Sequence, residues 1–135
     1  MREILFRGKH SPKSMWDYGD LYIDHDKVYI CMRETMHGVR VHGEVIPETV
    51  GQFTGLTDKN GTKIFEGDII HMNSKRFGLS GHGVVVFRNG GFAIDDRKRN
   101  RLYPFMQNGQ YNAGDYRVDG NVHDNPELME DKRHG

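Results

Sequence analysis

The residues best suited to bind a ligand form a basic run, Arg97-Lys98-Arg99-Asn100-Arg101, which is followed by Tyr103. Arg88 lies a few residues earlier in a predicted hairpin turn, and Lys75-Arg76-Phe77 lies in a predicted loop. Lysine and arginine neutralise phosphates, and aromatic rings can stack on unpaired bases. The pattern therefore predicts a nucleic-acid contact through Arg88, Arg97, Lys98, Arg99, Arg101 and Tyr103. The alternative is a solvated turn whose charges are balanced by neighbouring acidic residues.

The overall charge favours the explanation of the basic run as a solvated turn. The chain contains 19 Lys and Arg and 19 Asp and Glu, so its formal net charge is zero. Such a chain has no long-range field that steers it toward nucleic acid or an anionic membrane. Because the electrostatic term dominates affinity for nucleic acid, we rank this binding as the alternative hypothesis and not the leading one.

A second cluster of polar side chains lies in the signature segment, residues 54–70, which reads TGLTDKNGTKIFEGDII. Its acidic and amide side chains could bind a ligand or a metal ion at adjacent turns. A structural role is favoured, because aspartate accepts backbone N–H bonds in turns and Asn-Gly readily adopts the positive φ of a tight reversal. We therefore interpret the following residues as structural: Gly55, Asp58, Asn60, Gly61, Glu66, Gly67 and Asp68.

Metal binding and catalysis find little support in the sequence. The eight histidines are scattered, and neither Asp24-His25-Asp26 nor His123-Asp124 has the paired ligand spacing of a closed zinc site. Cys31 lies in a predicted apolar strand and resembles a buried small hydrophobe. The segment 78–83, GLSGHG, lacks the Lys-Ser/Thr pair of a phosphate-binding loop. We expect no enzyme, no cofactor and no metal.

Aromatic residues near the N-terminus suggest a contact surface. Trp16, Tyr18 and Tyr22 are evenly spaced, so in a regular strand they share one face. A bulge predicted at Gly19 would move Tyr22 to another position. Protein interfaces are enriched in tryptophan and tyrosine, which predicts association with a second copy of the chain. Ordinary burial of these rings in the core is the alternative.

The elements that must hold these residues are short strands bounded by glycine, asparagine and proline. The N-terminal part predicts a meander, and the segment 35–44 cannot be assigned. A loop is predicted at 74–83 and another at 107–114, and Asn125-Pro126 predicts a capped terminal helix. This arrangement is typical of a small antiparallel barrel or a strongly bent sheet. The predicted strands are 2–7, 15–23, 28–32, 53–56, 62–65, 69–72, 84–87, 92–94 and 116–122.

Size and composition fit one domain, or one domain with a small appendage. The 135 residues include thirteen Phe and Tyr and one Trp, which is more aromatic area than a disordered chain carries. A single cysteine suits a reducing cytosol. Charged residues at positions 2–7 argue against a signal peptide, and no apolar run approaches the roughly 20 residues of a membrane helix. We expect a cytoplasmic protein without a membrane contact.

Four blocks of the sequence, taken together, resemble the YopX family of bacteriophage and prophage proteins. They are MREILFRG at the N-terminus, WDYGDLYI, VIPETVGQFTGLTDKNGTKIFEGDII and GNVHDNPELME, and they cover about residues 1–130. The resemblance implies an SH3-type β-barrel in the C-terminal portion, self-association and a phage origin. It supplies no catalytic residues. The sequence departs from the family pattern in the predicted loops 74–83 and 107–114.

Our leading hypothesis is a mainly β, non-enzymatic phage accessory protein that acts through protein contacts in the bacterial host. It comprises an N-terminal β-meander region at residues 1–49, an SH3-like barrel with a short C-terminal helix at residues 50–130, and a frayed tail at residues 131–135. The expected partners are a second copy of the chain and a phage or host protein. The alternative is a nucleic-acid-binding SH3-like barrel that uses the basic run.

Overall fold

The computed structural model describes residues 1–75 and 78–130, which form a mainly β structure built from antiparallel pairs. Two compact units are present, Met1–Gly55 and Leu56–Gly135, whereas the sequence suggested a division after residue 49. The described residues contain thirteen strands and three short 3-10 turns. None of these helical turns is long and apolar enough to cross a bilayer. The expectations for Arg76, Phe77 and the tail 131–135 lie outside the described residues.

The N-terminal unit is built on an antiparallel meander, as the sequence predicted. A fifth strand pairs with the first, which gives the order β4-β3-β2-β1-β5. The unassigned segment 35–44 forms the β3–β4 hairpin, with φ of 54° at His37 and 79° at Gly38. The predicted helical turn is a 3-10 turn, Pro47–Thr49. The strands are β1 (Phe6–Gly8), β2 (Asp17–Asp24), β3 (Lys27–Met36), β4 (Val39–Val45) and β5 (Gly51–Thr57).

The first strand is shorter than predicted, and the buried side chains of this segment are those of Leu5, which precedes β1, and Arg7. Both side chains are buried, whereas Ile4 is exposed. The guanidinium carbon of Arg7 lies 4.4 Å from the centroid of the Trp16 ring. A cation over an indole face is stabilised electrostatically, and this contact helps to accommodate the charge in a buried position.

The predicted bulge at Gly19 is wrong. Strand β2 is continuous from Asp17 to Asp24, and neither its pairing with β1 at residues 17–19 nor its pairing with β3 at residues 20–24 shows a register shift. The irregularity lies in β3, whose pairing with β4 shifts between Cys31 and Thr35. A Cβ atom at Gly19 would come within 2.0 Å of the carbonyl oxygen of Cys31. Glycine at this position therefore permits a close approach of two backbones and does not mark a bulge.

The C-terminal unit contains a five-stranded antiparallel sheet in the order β10-β9-β8-β7-β13. The turn 58–61 lies between β5 and β6, as predicted. The predicted hairpin at 84–94 is also confirmed, and its turn has positive φ at Asn89 (56°) and Gly90 (83°), as a tight primed turn requires. The strands are β6 (Lys63–Phe65), β7 (Asp68–Ser74), β8 (Leu79–Arg88), β9 (Gly91–Asp96), β10 (Arg101–Pro104), β11 (Met106–Gln107), β12 (Gln110–Tyr111) and β13 (Tyr116–Asn121).

Both predicted loops contain strands. Residues 79–83 belong to β8 and pair with β7, and the segment 107–114 holds much of a small β11–β12 hairpin. A Cβ atom at Gly83 would lie 2.4 Å from Cγ2 of Ile94, so this glycine fits a tightly packed strand. Of the glycines that suggested a loop, Gly83 thus reflects limited space beside β8, whereas a Cβ atom at Gly78 would meet no atom within 4 Å.

The terminal α-helix is also absent from the described residues. Pro126–Met129 forms a single 3-10 turn that begins with proline, as predicted, but the side chain of Asn125 does not cap it. The Oδ1 atom of Asn125 instead accepts a 3.3 Å hydrogen bond from the backbone N–H of Asn121. Asn125 therefore connects the turn to the end of β13.

The core of the C-terminal unit lies against the five-stranded sheet. It includes an aromatic group in which Tyr111 and Tyr116 are stacked, with centroids 5.5 Å apart. The pairs between described strands leave the sheets open, so the closed barrel predicted from the sequence is not confirmed. The buried cluster consists of Ile64, Ile70, Met72, Val85, Ile94, Phe105 and Tyr116.

Candidate functional site

The carboxylate of Asp58 holds together the turn of the signature segment. It is buried and accepts three backbone hydrogen bonds, from Asn60 (2.9 Å), Thr62 (2.9 Å) and Val118 (2.8 Å). Burial alone would raise the pKa of Asp58, but these three N–H donors outweigh it and lower the pKa below its ordinary value. The arrangement fixes a turn and joins it to β13.

The second reversal of the signature segment is held in a similar way. The buried carboxylate of Asp68 accepts a 2.7 Å hydrogen bond from the backbone N–H of Phe65. Gly67 has a φ of 92°, and its N–H donates to the carbonyl of Val85 at 2.8 Å. Its own carbonyl accepts from the N–H of Val122 at 3.0 Å. This turn connects three segments of the C-terminal unit.

The remaining residues of the signature segment lie in or next to these turns. Gly55 and Gly61 also have positive φ, 88° and 80° respectively. Asn60 is exposed at the tip of its turn, and Glu66 is half-buried. Because the two buried carboxylates are directed at backbone amides, the structure does not bring the acidic side chains of the segment together around a ligand.

The basic run forms the turn between β9 and β10 and the start of β10. Within it, Arg99 is fixed by Asp96, whose side chain is only 1% exposed. Nη1 of Arg99 donates to Oδ2 of Asp96 at 2.8 Å, and its backbone N–H donates to Oδ1 at 3.1 Å. Nη2 donates to the carbonyl of Ser80 at 3.3 Å. The hydrogen bond and the charge of Asp96 raise the pKa of Arg99.

The other predicted nucleic-acid contacts divide into paired and unpaired cations. Asp95 lies 3.2 Å from Nη2 of Arg88 and 4.0 Å from Nε of Arg97. Lys98 and Arg101 are exposed and make no ion pair with any described residue. Thus much of the positive charge is already balanced within the turn.

Tyr103 is the aromatic member of the predicted nucleic-acid contact. Its side chain is half-buried and packs against the core cluster of the C-terminal unit. Packing of this kind restricts the ring face that could stack on a base. The unpaired cations of this surface are therefore its main available binding groups.

A cavity of about 630 Å³ lies beside the basic turn, entirely within the C-terminal unit. The turn contributes cationic side chains, the start of β8 contributes small and polar residues, and the terminal 3-10 turn contributes an apolar wall. The lining residues are Ser80, Gly81, His82, Asp96, Arg97, Lys98, Arg99, Leu128, Met129 and Glu130. The surface thus combines positive charge with a small apolar area.

His82 belongs to a row of titratable residues that crosses three strands. In the sheet register, His71 on β7 lies opposite His82 on β8 and Arg117 on β13. Nε2 of His82 lies 2.7 Å from Oδ2 of Asp119, and the two histidine rings meet edge to face, 5.4 Å apart. The carboxylate holds the imidazole of His82 in one orientation beside the cavity.

The charges of this row are strongly coupled. The hydrogen bond from Nε of Arg117, 2.6 Å long, is the main cause that lowers the pKa of Asp119 to about 2, with burial opposing and His82 adding to the effect. Burial, followed by the positive charge of Arg117, lowers the pKa of His71. At neutral pH, Asp119 is an ionised partner for both neighbours.

The position of Asp119 follows from an irregularity of β13. Val118 pairs with Ile70 and Gly120 pairs with Ile69, so Asp119 is the extra residue of a bulge. Bulges re-aim side chains and are enriched near functional sites. This cluster could not be predicted from the sequence, because His82 and Asp119 are 37 positions apart and match no local motif.

The three residues predicted to mediate self-association differ in their exposure to solvent. Tyr18 and Tyr22 lie on β2 and are 46% and 54% exposed, and the Tyr22 ring lies 6.0 Å from that of Tyr29. Trp16 precedes β2, is half-buried, and is covered by Arg7. Only the two tyrosines therefore present exposed aromatic area on this strand.

The remaining candidate groups for metal binding or catalysis are dispersed. Cys31 is buried, as predicted, and its Sγ atom lies 3.8 Å from Nε2 of His42. Within residues 1–75 and 78–130, no three His, Cys, Asp or Glu side chains are placed together to hold a metal ion. The cavity beside the basic turn and the tyrosine surface of β2 are thus two candidate binding surfaces of the described residues.

Solved structures that share this fold include two proteins of bacterial origin. The crystal structure of protein EF1440 from Enterococcus faecalis is 23% identical in sequence and has a TM-score of 0.60, and the similarity covers 96% of this chain and 100% of that one. The X-ray structure of protein yopX from Bacillus subtilis is 19% identical, with a TM-score of 0.57 and the same coverage of both chains. At this level of identity the similarity shows the fold alone.

Comparison of the sequence with known proteins identifies its family. Curated proteins give no significant match. The family model for the YopX protein matches residues 5–130, which includes almost all of both units. This match agrees with the resemblance carried by the four sequence blocks and with the shared fold of yopX. The chain therefore belongs to the YopX family.

Proposed function

We propose that this member of the YopX family is a non-enzymatic accessory protein of a bacteriophage or prophage. It acts in the bacterial cytoplasm through contacts with other proteins, one of which is a second copy of itself. As part of the same proposal, the five-stranded antiparallel sheet of the C-terminal unit is a strongly bent, SH3-like scaffold. The exposed tyrosine surface of β2 is the observation that carries the proposal.

The face of β2 that carries Tyr18 and Tyr22 also carries Asp20, because alternate residues of a strand project on the same side. Asp20 lies 2.9 Å from Nη2 of Arg33 and 3.4 Å from Nη2 of Arg40. The surface therefore combines aromatic area with charges of both signs. A twofold interface must be self-complementary, and such a mixture lets the same surface face itself without net repulsion.

The charge of the whole chain also favours a second copy as the partner. With 19 basic and 19 acidic residues, two copies do not repel one another at long range. Proteins with a net charge near zero associate more readily than strongly charged ones. A tyrosine surface of mixed charge on a neutral molecule thus supports self-association more directly than attraction to a highly charged partner.

The hydrogen-bond partners of the buried carboxylates support a binding role for the protein over a catalytic one. Asp58 and Asp68 direct their oxygens at backbone amides, and Asp96 binds Arg99. Each carboxylate stabilises a turn and is occupied by the donors it accepts. Such contacts are typical of a structural scaffold whose surface binds partners.

We expect the wild-type chain to form a dimer at high micromolar concentration, and the double variant Tyr18→Ser, Tyr22→Ser to be a monomer. Each substitution occurs in both copies, so four interface tyrosines are truncated, which at about 1.4 kcal/mol for each side chain should raise the dissociation constant about ten-thousandfold. Static light scattering over a concentration series measures both masses.

The matched control for the tyrosine variant is Ile23→Ser. Ile23 is exposed on the same strand, but it projects from the opposite face, so its replacement should leave the dimer intact. A wild-type chain that is monomeric at high micromolar concentration would contradict the proposal. Loss of the dimer in Ile23→Ser to the same extent would contradict the assignment to the tyrosine face.

Binding of nucleic acid is the second candidate function, and the unpaired cations Lys98 and Arg101 favour it. If these side chains bind phosphates, Lys98→Ala with Arg101→Ala should lower the slope of log affinity against log salt by about 1.5, since each phosphate contact contributes about 0.7–0.9. Salt-dependent retention on single-stranded and duplex DNA measures this effect.

The control for this test removes two lysines elsewhere. Lys13 and Lys27 are exposed residues of the N-terminal unit, so Lys13→Ala with Lys27→Ala makes the same change in net charge. The control should retain the wild-type slope. Failure of the wild-type chain to bind DNA at low salt would remove this candidate.

A further inference from the structure

We propose that the cavity beside the basic turn binds a small phosphate monoester with an apolar or aromatic organic group. The cavity lies within one unit, and this inference does not depend on the self-association proposed above. Three neighbouring cations, Arg97, Lys98 and Arg99, contribute to its lining. The fixed position of these cations, the apolar residues in the same lining and the size of the cavity favour such a ligand.

Arg99 is suited to bind an oxyanion because its guanidinium is already fixed. Asp96 and the carbonyl of Ser80 each accept one of its side-chain hydrogen bonds. A guanidinium has five N–H donors, so three remain for a ligand. A fixed planar donor group loses little conformational entropy on binding, and it matches the geometry of phosphate.

Lys98 supplies positive charge that no neighbour balances. It lines the cavity, is exposed, and makes no ion pair with a described residue. The charge of Asp96 is offset by Arg99, and the second acidic residue of the lining, Glu130, lies at the C-terminal end of the terminal 3-10 turn. An anion is therefore expected to bind beside Lys98 and Arg99, away from Glu130.

His82 adds a polar side chain to the lining of the cavity. Its Nε2 atom is engaged by Asp119, while Nδ1 has no hydrogen-bond partner among the described residues. The ring is held in place by Asp119, which is itself held by Arg117. Lys98 and Arg99 supply the donors for the phosphate oxygens. The neutral imidazole, whose Nε2–H is donated to Asp119, presents Nδ1 as an acceptor for the O–H of a monoprotonated phosphate.

The size of the cavity and the apolar part of its lining indicate the rest of the ligand. A volume of about 630 Å³ falls within the range of small-molecule sites, and it is much larger than a free phosphate ion requires. Leu128 and Met129 are half-buried and form the apolar part of the lining. They would contact an apolar or aromatic group attached to the phosphate.

The test uses the full chain, labelled with ¹⁵N, and phenyl phosphate as the probe. We expect saturable amide shifts at residues 80–82, 97–99 and 128–129. Lys98→Ala should weaken binding by about tenfold, the usual effect of losing one hydrogen bond to a charged group. Met129→Ser should weaken binding of phenyl phosphate but not of inorganic phosphate.

The control variant is Arg101→Ala, which removes an unpaired cation of the same basic run that does not line the cavity. Its affinity for phenyl phosphate should equal that of the wild-type chain. An equal loss in Arg101→Ala and Lys98→Ala would indicate a diffuse attraction to the surface and overturn the proposal. Benzoate binding as tightly as phenyl phosphate, or no saturable shift at millimolar concentration, would also overturn it.

Discussion

Replacement of Gly19 with alanine is expected to destabilise the N-terminal unit by about 3 kcal/mol, at the upper end of the usual cost of overpacking. The added methyl group would lie 2.0 Å from the carbonyl oxygen of Cys31 and 3.1 Å from Cα of Met32. Both are main-chain atoms, so β3 must move, because no side chain can rotate away. Urea unfolding measures the loss, and amide hydrogen exchange locates it in β2 and β3.

Gly43→Ala is the matched control in the same unit. A Cβ atom at Gly43 would meet only Oδ2 of Asp17, at 3.5 Å, which is an ordinary contact. Its stability should stay within about 0.5 kcal/mol of the wild type, as for most tolerated surface changes. Equal stability of Gly19→Ala and the wild type would show that the two backbones do not approach closely.

Replacement of Asp58 with alanine is expected to cost about 3 to 5 kcal/mol, because three backbone N–H groups lose their acceptor at once. These donors belong to Asn60, Thr62 and Val118. Asp58→Asn should be intermediate, since one oxygen remains and the amide NH₂ then faces a donor. Thermal unfolding gives the order of stability, and hydrogen exchange at Thr62 and Val118 should increase.

Asp26→Ala is the control for the aspartate change. Asp26 is exposed in the β2–β3 turn and makes no hydrogen bond or ion pair with a described residue, so its replacement should change stability by less than about 0.5 kcal/mol. Wild-type stability in Asp58→Ala would contradict the structural role of the carboxylate.

The contribution of Asp58 should also depend on pH. Its pKa in the folded chain lies below the ordinary value of 3.8, so the folded state favours the ionised form. The stabilisation is therefore fully present above the unfolded pKa and is lost as the pH falls through the folded value. The stability difference between the wild type and Asp58→Asn should shrink below pH 3.8.

Elements defined by local conformation could be predicted from the sequence. Asn89-Gly90 specifies a tight hairpin turn, and Pro47 and Pro126 begin short helical turns, because each of these residues restricts its own backbone. The start of β8 could not be predicted in this way. Residues 79–83 have no alternating apolar pattern, and they are a strand because β7 lies beside them.

Only part of the candidate cavity could be predicted from the sequence. The cations 97–99 were visible as a run in the sequence, and their charge suggested an anionic ligand. Nothing local indicated that His82 and Asp119 meet, since only the register of β8, β7 and β13 brings them together. The bulge that places Asp119 likewise depends on pairing with β7 and not on its own sequence.

The buried position of Cys31 has a practical consequence. It is the sole cysteine of the chain and is only 6% exposed, at the irregular part of β3. A thiol reagent added to the folded protein can therefore react only when the strands around this residue separate. The rate of modification reports the free energy of that local opening in the unaltered chain, without an introduced label.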